Sequence, residues 1–206
     1  MPPARSPRSS REHELMTSLP RLVLRKNQDR RVRAGHPWIF SNEIERVEGA
    51  PADGDVVEVA DTRGAFLGRG YYNRRSLIAA RLLTRRRDEI DLDLFVRRLE
   101  RAVRYRAVVA PGVEALRLVH GEADQLPGLV VDRYGDWLAV QVLTLGMETR
   151  AEQLREAIER VLAPRGVVRV ADSPLRRLEG LDLERTTWWG RSRIASSSSR
   201  TGSPSR

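Results

Sequence analysis

Between Ala65 and Arg87 (AFLGRGYYNRRSLIAARLLTRRR) the apolar residues recur at a spacing near two: Phe66, Gly68, Gly70 and Tyr72, then Leu77, Ala79 and the pair Leu82 and Leu83. A helix needs a period near 3.6, so this stretch reads as strand, turn, strand, with residues 73–76 as the connection. Counting Arg63, the same region holds eight arginines, and no acidic residue lies between Asp61 and Asp88. Side chains alternate faces along a strand, which predicts Arg69, Arg75 and Arg81 on a solvated face with Tyr71 or Tyr72 beside them. Arginine next to tyrosine on an open sheet suits RNA, because the guanidinium fork matches phosphate and an aromatic ring stacks on unpaired bases. The competing reading is that these arginines only solvate an antiparallel sheet.

The residues before this hairpin extend the same pattern. RLVLR from Arg21 alternates charge and aliphatic as a short strand, residues 27–34 fit one helical turn with Asp29 as cap and Gly35 as stop, and DVVEVA from Asp55 is another strand. Asp61-Thr62-Arg63-Gly64 is a turn with glycine where a positive φ is easily adopted. In GHPWIFSNEI, Pro37 holds His36 extended, and Trp38 and Phe40 are expected in a core rather than on a ligand platform. His36 reads as a hydrogen-bonded turn residue, with no partner carboxylate identifiable for catalysis. Residues 19–88 are therefore expected to form a compact, barrel-like β unit.

After Arg87 the period changes. Leu92, Phe95, Val96, Leu99, Ala102 and Val103 recur at helical spacing, with Arg97, Arg98, Arg101 and Arg104 on the other face and Pro111-Gly112 as the stop. A strand at 115–119, the turn GEADQLPG, a hairpin of 129–132 with 137–143, a helix at 148–162 and a strand at 167–171 follow. Ser173-Pro174 then has the form of a helix start. Alternating strands and helices make 91–181 a second, α+β unit, so the fold class is α+β. Residues 1–18 and 182–206 lack large apolar patterning and are expected to be disordered tails.

A net charge of +9 favours a polyanionic partner, since clustered cations release counterions when they meet phosphates. All basic residues except Lys26 are arginine, which base composition alone can produce, so charge is supporting evidence only. The chain has no cysteine, which excludes disulfides, thiolate metal sites and a thiol nucleophile. No apolar run approaches the roughly 20 residues that span a bilayer, and no secretion signal is recognisable. The expectations are a cytoplasmic protein with no membrane and no metal partner.

Four strings, RAGHPWIFSNEI at 33–44, GAFLGRGYYNRRSLIAARLLT at 64–84, LRLVHGEADQLPGLVVDRYGDWLAVQ at 116–141 and SPLRRLEGL at 173–181, occur in this order and spacing. Over about residues 20–181 the chain resembles the bacterial class I S-adenosylmethionine-dependent 23S rRNA cytosine-C5 methyltransferases. The resemblance implies an N-terminal PUA-like RNA-binding domain, a central α+β domain and then a catalytic Rossmann-like domain. The last should begin after LEGL, and its glycine-rich cofactor loop is not recognisable here. Gly68-Arg69-Gly70 comes nearest, but Asn73 stands where a third glycine would fall. Cytosine-C5 methylation also calls for a thiolate, and there is none. The expectation is a member of this family truncated before its catalytic domain, binding RNA and most simply rRNA, with no cofactor in this chain and S-adenosylmethionine as cofactor of the whole family.

The candidate RNA-binding residues are Arg33, His36, Arg69, Tyr72, Asn73, Arg74, Arg75 and Arg81, and no catalytic or metal-binding residue is assigned. The hairpin arginines are expected to matter more than those of the helix. A self-standing PUA-type RNA-binding module acting with a separate partner is the alternative. A DNA-binding protein is disfavoured, because no recognition helix, zinc site or basic zipper is present.

Overall fold

The computed structural model describes residues 19–190. In chain order the elements are β1 (Arg21–Leu24), α1 (Asp29–Arg33), β2 (Trp38–Ile39), β3 (Ile44–Glu48), β4 (Val56–Ala60), β5 (Phe66–Tyr72), β6 (Ala80–Thr84), α2 (Leu92–Val109), β7 (Ala115–His120), β8 (Leu129–Tyr134), β9 (Trp137–Val142), α3 (Leu145–Glu148), α4 (Ala151–Leu162), β10 (Gly166–Ala171), α5 (Leu175–Leu178) and β11 (Glu184–Trp189). Single 3₁₀ turns lie at Ser41–Glu43 and Gly121–Asp124.

Two sheets result. The first has the order β2-β6-β5-β4-β1-β3, in which β1 and β4 pair in parallel and every other neighbour is antiparallel. It curls around Leu22, Leu24, Val32, Ile39, Val57, Val59, Leu67, Ala80 and Leu82. The second has the order β11-β10-β9-β8-β7, with β9 and β10 parallel across the α3 and α4 crossover. The apolar face of α2 (Leu94, Phe95, Leu99, Ala102) and that of α4 (Leu154, Ala157, Ile158) share a core with its strands.

The hairpin of β5 and β6 belongs to both cores. Leu67 and Leu82 point into the first, whereas Tyr71 and Leu83 point into the second. All five residues of β6 are buried, because both of its faces are covered. This takes Arg81, 8% exposed, and Tyr71, 1% exposed, out of the expected solvated face, while Arg75 in the turn stays exposed. Gly70 lets β5 and β6 lie close, since a Cβ there would run into the Arg81 carbonyl. Gly68 and Gly70 thus serve strand pairing within β5.

Three local expectations are corrected. Asp29 is the first helical residue of α1 rather than its cap, and its carboxylate takes the Arg33 guanidinium at 2.5 Å. Ser173 and Pro174 precede α5 without a side-chain cap, the Ser173 carbonyl accepting from Arg176 N instead. The tail expected from residue 182 contains β11, which pairs antiparallel with β10 from Glu184 to Trp189. Trp188 and Trp189, with rings 6.5 Å apart and nearly parallel, pack against the second core. Residues 191–206 of that tail, and the tail at 1–18, lie outside the described residues.

Candidate nucleic-acid interface

The turn after β5 is organised by two carboxylates. Asp53 accepts from Arg74 N at 3.0 Å and lies 3.3 Å from Arg74 Nε and 3.5 Å from Arg75 Nε. It pairs with the guanidinium groups of two arginine side chains that are 67% and 71% exposed. Behind them Glu179, brought in by the segment after α5, accepts from Ser76 Oγ at 2.8 Å and Asn73 Nδ2 at 3.0 Å and pairs with Arg81 Nη1 at 2.9 Å. Asn73 and Arg81 are therefore committed inside the protein and hold the turn from behind. Tyr72 is half-buried, and burial together with the Asp53 charge raises its pKa. Its ring and Arg74 share a shallow hollow of about 500 Å³ with Val47 and Pro51.

Arg69 is also occupied. Its guanidinium donates to Glu58 at 2.9–3.1 Å and to the carbonyls of Arg87 and Asp88. Glu58 takes a third bond from Arg87 at 2.5 Å. Burial works to raise the Glu58 pKa, but the hydrogen bonds from Arg69 and Arg87 outweigh it and hold the carboxyl below its ordinary value. Arg33, at the end of α1, is exposed and bridges Asp29 and Asp61 at 2.5 and 2.6 Å. His36 Nδ1 accepts from Trp38 N at 3.1 Å, and its ring meets Trp38 edge-on at 5.5 Å, the start of a ladder that continues to Phe40. The candidate residues thus divide: Arg33, His36, Tyr72, Arg74 and Arg75 reach the surface, and Arg69, Asn73 and Arg81 face internal partners.

A second basic surface was not legible as one in the sequence. Between the end of β6 and the polar face of α2 runs a cleft of about 1090 Å³. Arg85 and Arg86 line one wall, Arg97, Arg98, Arg101 and Arg104 the other, and Gly35 and Pro37, on either side of His36, also line it. Arg98 is buried and ties α2 to the first sheet by donating to the carbonyls of Leu83 and Gln125. Burial, helped by the neighbouring Arg101 and Arg97, lowers its pKa to about 10. Arg85 donates to the carbonyls of Val32 and His36. The two carboxylates of the cleft are engaged, Asp88 with Thr84 Oγ1 at 2.7 Å and Glu122 with Trp38 Nε1 at 2.6 Å.

Residues 22–85 match the model of a PUA-like domain. Across 167 residues, 80% of this chain, it is 37% identical to the ribosomal RNA large subunit methyltransferase I of Klebsiella pneumoniae, and across 166 residues it is 36% identical to that of Erwinia tasmaniensis. The chain spans 42% of the length of each. A solved Streptococcus mutans chain described as a SAM-dependent methyltransferase superposes with a TM-score of 0.70 at 16% identity, covering 84% of this chain and 43% of that one. A second solved methyltransferase chain, holding S-adenosylhomocysteine, superposes equally well and at that identity likewise shows a shared fold. The chain therefore carries a PUA-like domain and is homologous to ribosomal RNA methyltransferases.

Proposed function

We propose that residues 19–190 are the RNA-recognition part of an S-adenosylmethionine-dependent ribosomal RNA methyltransferase, of the kind that modifies cytosine at C5, working in the cytoplasm on large-subunit ribosomal RNA. The observation that carries this reading is the PUA-like match at 22–85 inside a longer stretch of 37% identity to a ribosomal RNA methyltransferase. The surface geometry supports it. Arg74 and Arg75 project from a turn braced by Asp53 and Glu179, and half-buried Tyr72 shares a hollow with Arg74, so cations adjoin an aromatic group. Arg33 and His36 extend the basic surface at the end of α1.

Methyl transfer is not assigned to these 206 residues. Addition to the cytosine ring needs a thiolate, and the chain contains no cysteine. Gly68 and Gly70, the nearest approach to a cofactor loop, lie within β5. Among the described residues no group of three or more acidic or histidine side chains is arranged to hold a metal ion, and no helix is long and apolar enough to cross a membrane.

The test is binding of the whole chain to large-subunit ribosomal RNA against duplex DNA of equal length, with a calorimetric titration of S-adenosylmethionine alongside. Preference for the RNA and a flat cofactor titration are expected. Equal affinity for DNA would overturn the RNA reading, and saturable micromolar cofactor binding would overturn the assignment of recognition without transfer.

A further inference from the structure

We propose that the cleft between β6 and α2 is an RNA-backbone site, in which Arg97, Arg101 and Arg104 on one wall and Arg86 on the other clamp consecutive phosphates of one strand. This rests on the reading of the chain as an RNA-recognition unit and says where on it the strand lies. The first support is spacing. Arg97, Arg101 and Arg104 follow one another at four and three residues, so they share a face of α2 and rise about 6 and 4.5 Å along its axis, a ladder of charge that an extended polyanion can follow. Like charges at that spacing repel and destabilise a bare helix.

The second support is the electrostatic balance inside the cleft. Asp88 and Glu122 are already hydrogen-bonded to Thr84 and Trp38, and Asp124 is held by both terminal nitrogens of Arg106 at 2.6 and 2.7 Å. Glu100 is the carboxylate beside Arg104, at 3.7 Å across a solvated pair, and such pairs contribute little. Arg101 reaches only the Asp124 carbonyl, at 3.5 Å. No described carboxylate lies within ion-pair range of the Arg86 or Arg97 guanidinium. The cleft thus gathers six arginines against two carboxylates, Asp88 and Glu122, whose bonds to neutral Thr84 and Trp38 leave their charge in place, and the net positive charge of this concave site attracts phosphates.

The third support is rigidity. Arg98, buried beneath this face, fastens α2 to the Leu83 carbonyl of β6, so the two walls hold a fixed separation. A preset groove loses less freedom on binding than loose side chains would. Gly35 and Pro37, on either side of His36, also line the cleft, so the residues after α1 adjoin it.

The experiment uses the full chain, large-subunit ribosomal RNA and filter binding between about 50 and 200 mM salt, the range over which phosphate contacts separate most clearly. Arg97→Gln with Arg104→Gln removes two cleft charges at exposed positions, and Arg74→Gln with Arg75→Gln removes two at the hairpin turn. The cleft pair is expected to lower the slope of log affinity against log salt by about 1.4 to 1.8, and to cut affinity about tenfold at the low-salt end. Unaltered far-ultraviolet circular dichroism and melting temperature certify the fold of each variant. Parent affinity and slope in a folded cleft variant, with loss confined to the hairpin variant, would overturn the cleft site and leave RNA recognition standing. Absence of salt-dependent RNA binding by the parent chain would overturn both.

Discussion

Glu179 lies 106 residues from Asn73 in the chain, yet its carboxylate joins Asn73, Ser76 and Arg81 in one buried cluster. That separation explains why alternation along β6 put Arg81 in solvent: the pattern marks which face a residue takes, but not what a segment about a hundred residues away lays over that face. Truncating one member of a buried ion pair strands the other, so Glu179→Ala should destabilise the fold by about 3 kcal/mol, read as a drop in melting temperature of roughly 6–12 °C. Tyr71 presents the same lesson for an aromatic ring. It was a candidate base-stacking platform, and its hydroxyl instead bonds the Pro127 carbonyl at 2.8 Å and Thr144 Oγ1 at 2.9 Å, with burial raising its pKa. Tyr71→Phe should therefore cost about 1–2 kcal/mol of stability while RNA affinity stays at the parent value. Glu58 gives a pH test. Its folded pKa lies below the unfolded one, so its contribution is present above the unfolded pKa and is lost as pH falls through the folded value. Glu58→Gln should cost about 2 kcal/mol near neutral pH, with the gap from the parent closing below about pH 4 in chemical denaturation series.

At the scale of elements, α2 was the most readable part of the chain. Its apolar period was in the residues, and the structure adds a cap that the sequence analysis did not name, the Asp91 carboxylate accepting from Leu94 N at 2.9 Å. Asp91→Ala should lower stability by about 1 kcal/mol. What the period did not disclose was the use of the polar face. Arg97, Arg101 and Arg104 read as a solvated stripe, and only the return of residues 85–88 alongside them makes that stripe a wall of a cleft. β11 was missed for a related reason. Thr186, Thr187, Trp188 and Trp189 are strand-favouring residues, but the run is short and merges with the polar stretch after it, and its pairing with β10 is what marks it as a strand. In the hairpin, the expected strands are present and the glycines explain their spacing. Gly70→Ala should break β5–β6 pairing through the collision with the Arg81 carbonyl, giving insoluble or molten protein, where the exposed Gly64→Ala keeps the fold.

Across the whole molecule, the change of period near Arg87 suggested two units, and the strands do divide between two sheets there. The packing between them is less separable than that change implies. Tyr71 and Leu83 of the first sheet sit in the second core, Arg150 Nη1 donates to the Gly54 carbonyl at 2.8 Å, and Trp38 reaches Glu122. The same seam carries the candidate RNA surface, because the cleft has one wall from each side. The most direct measurement is amide hydrogen exchange of the full chain with and without large-subunit ribosomal RNA. RNA-dependent protection is expected at residues 34–37 and 84–88 and along the exposed face of α2, with β7–β9 unchanged. Protection confined to β7–β9, or none at the cleft under saturating RNA, would contradict the placement of RNA recognition at the joint between the two sheets.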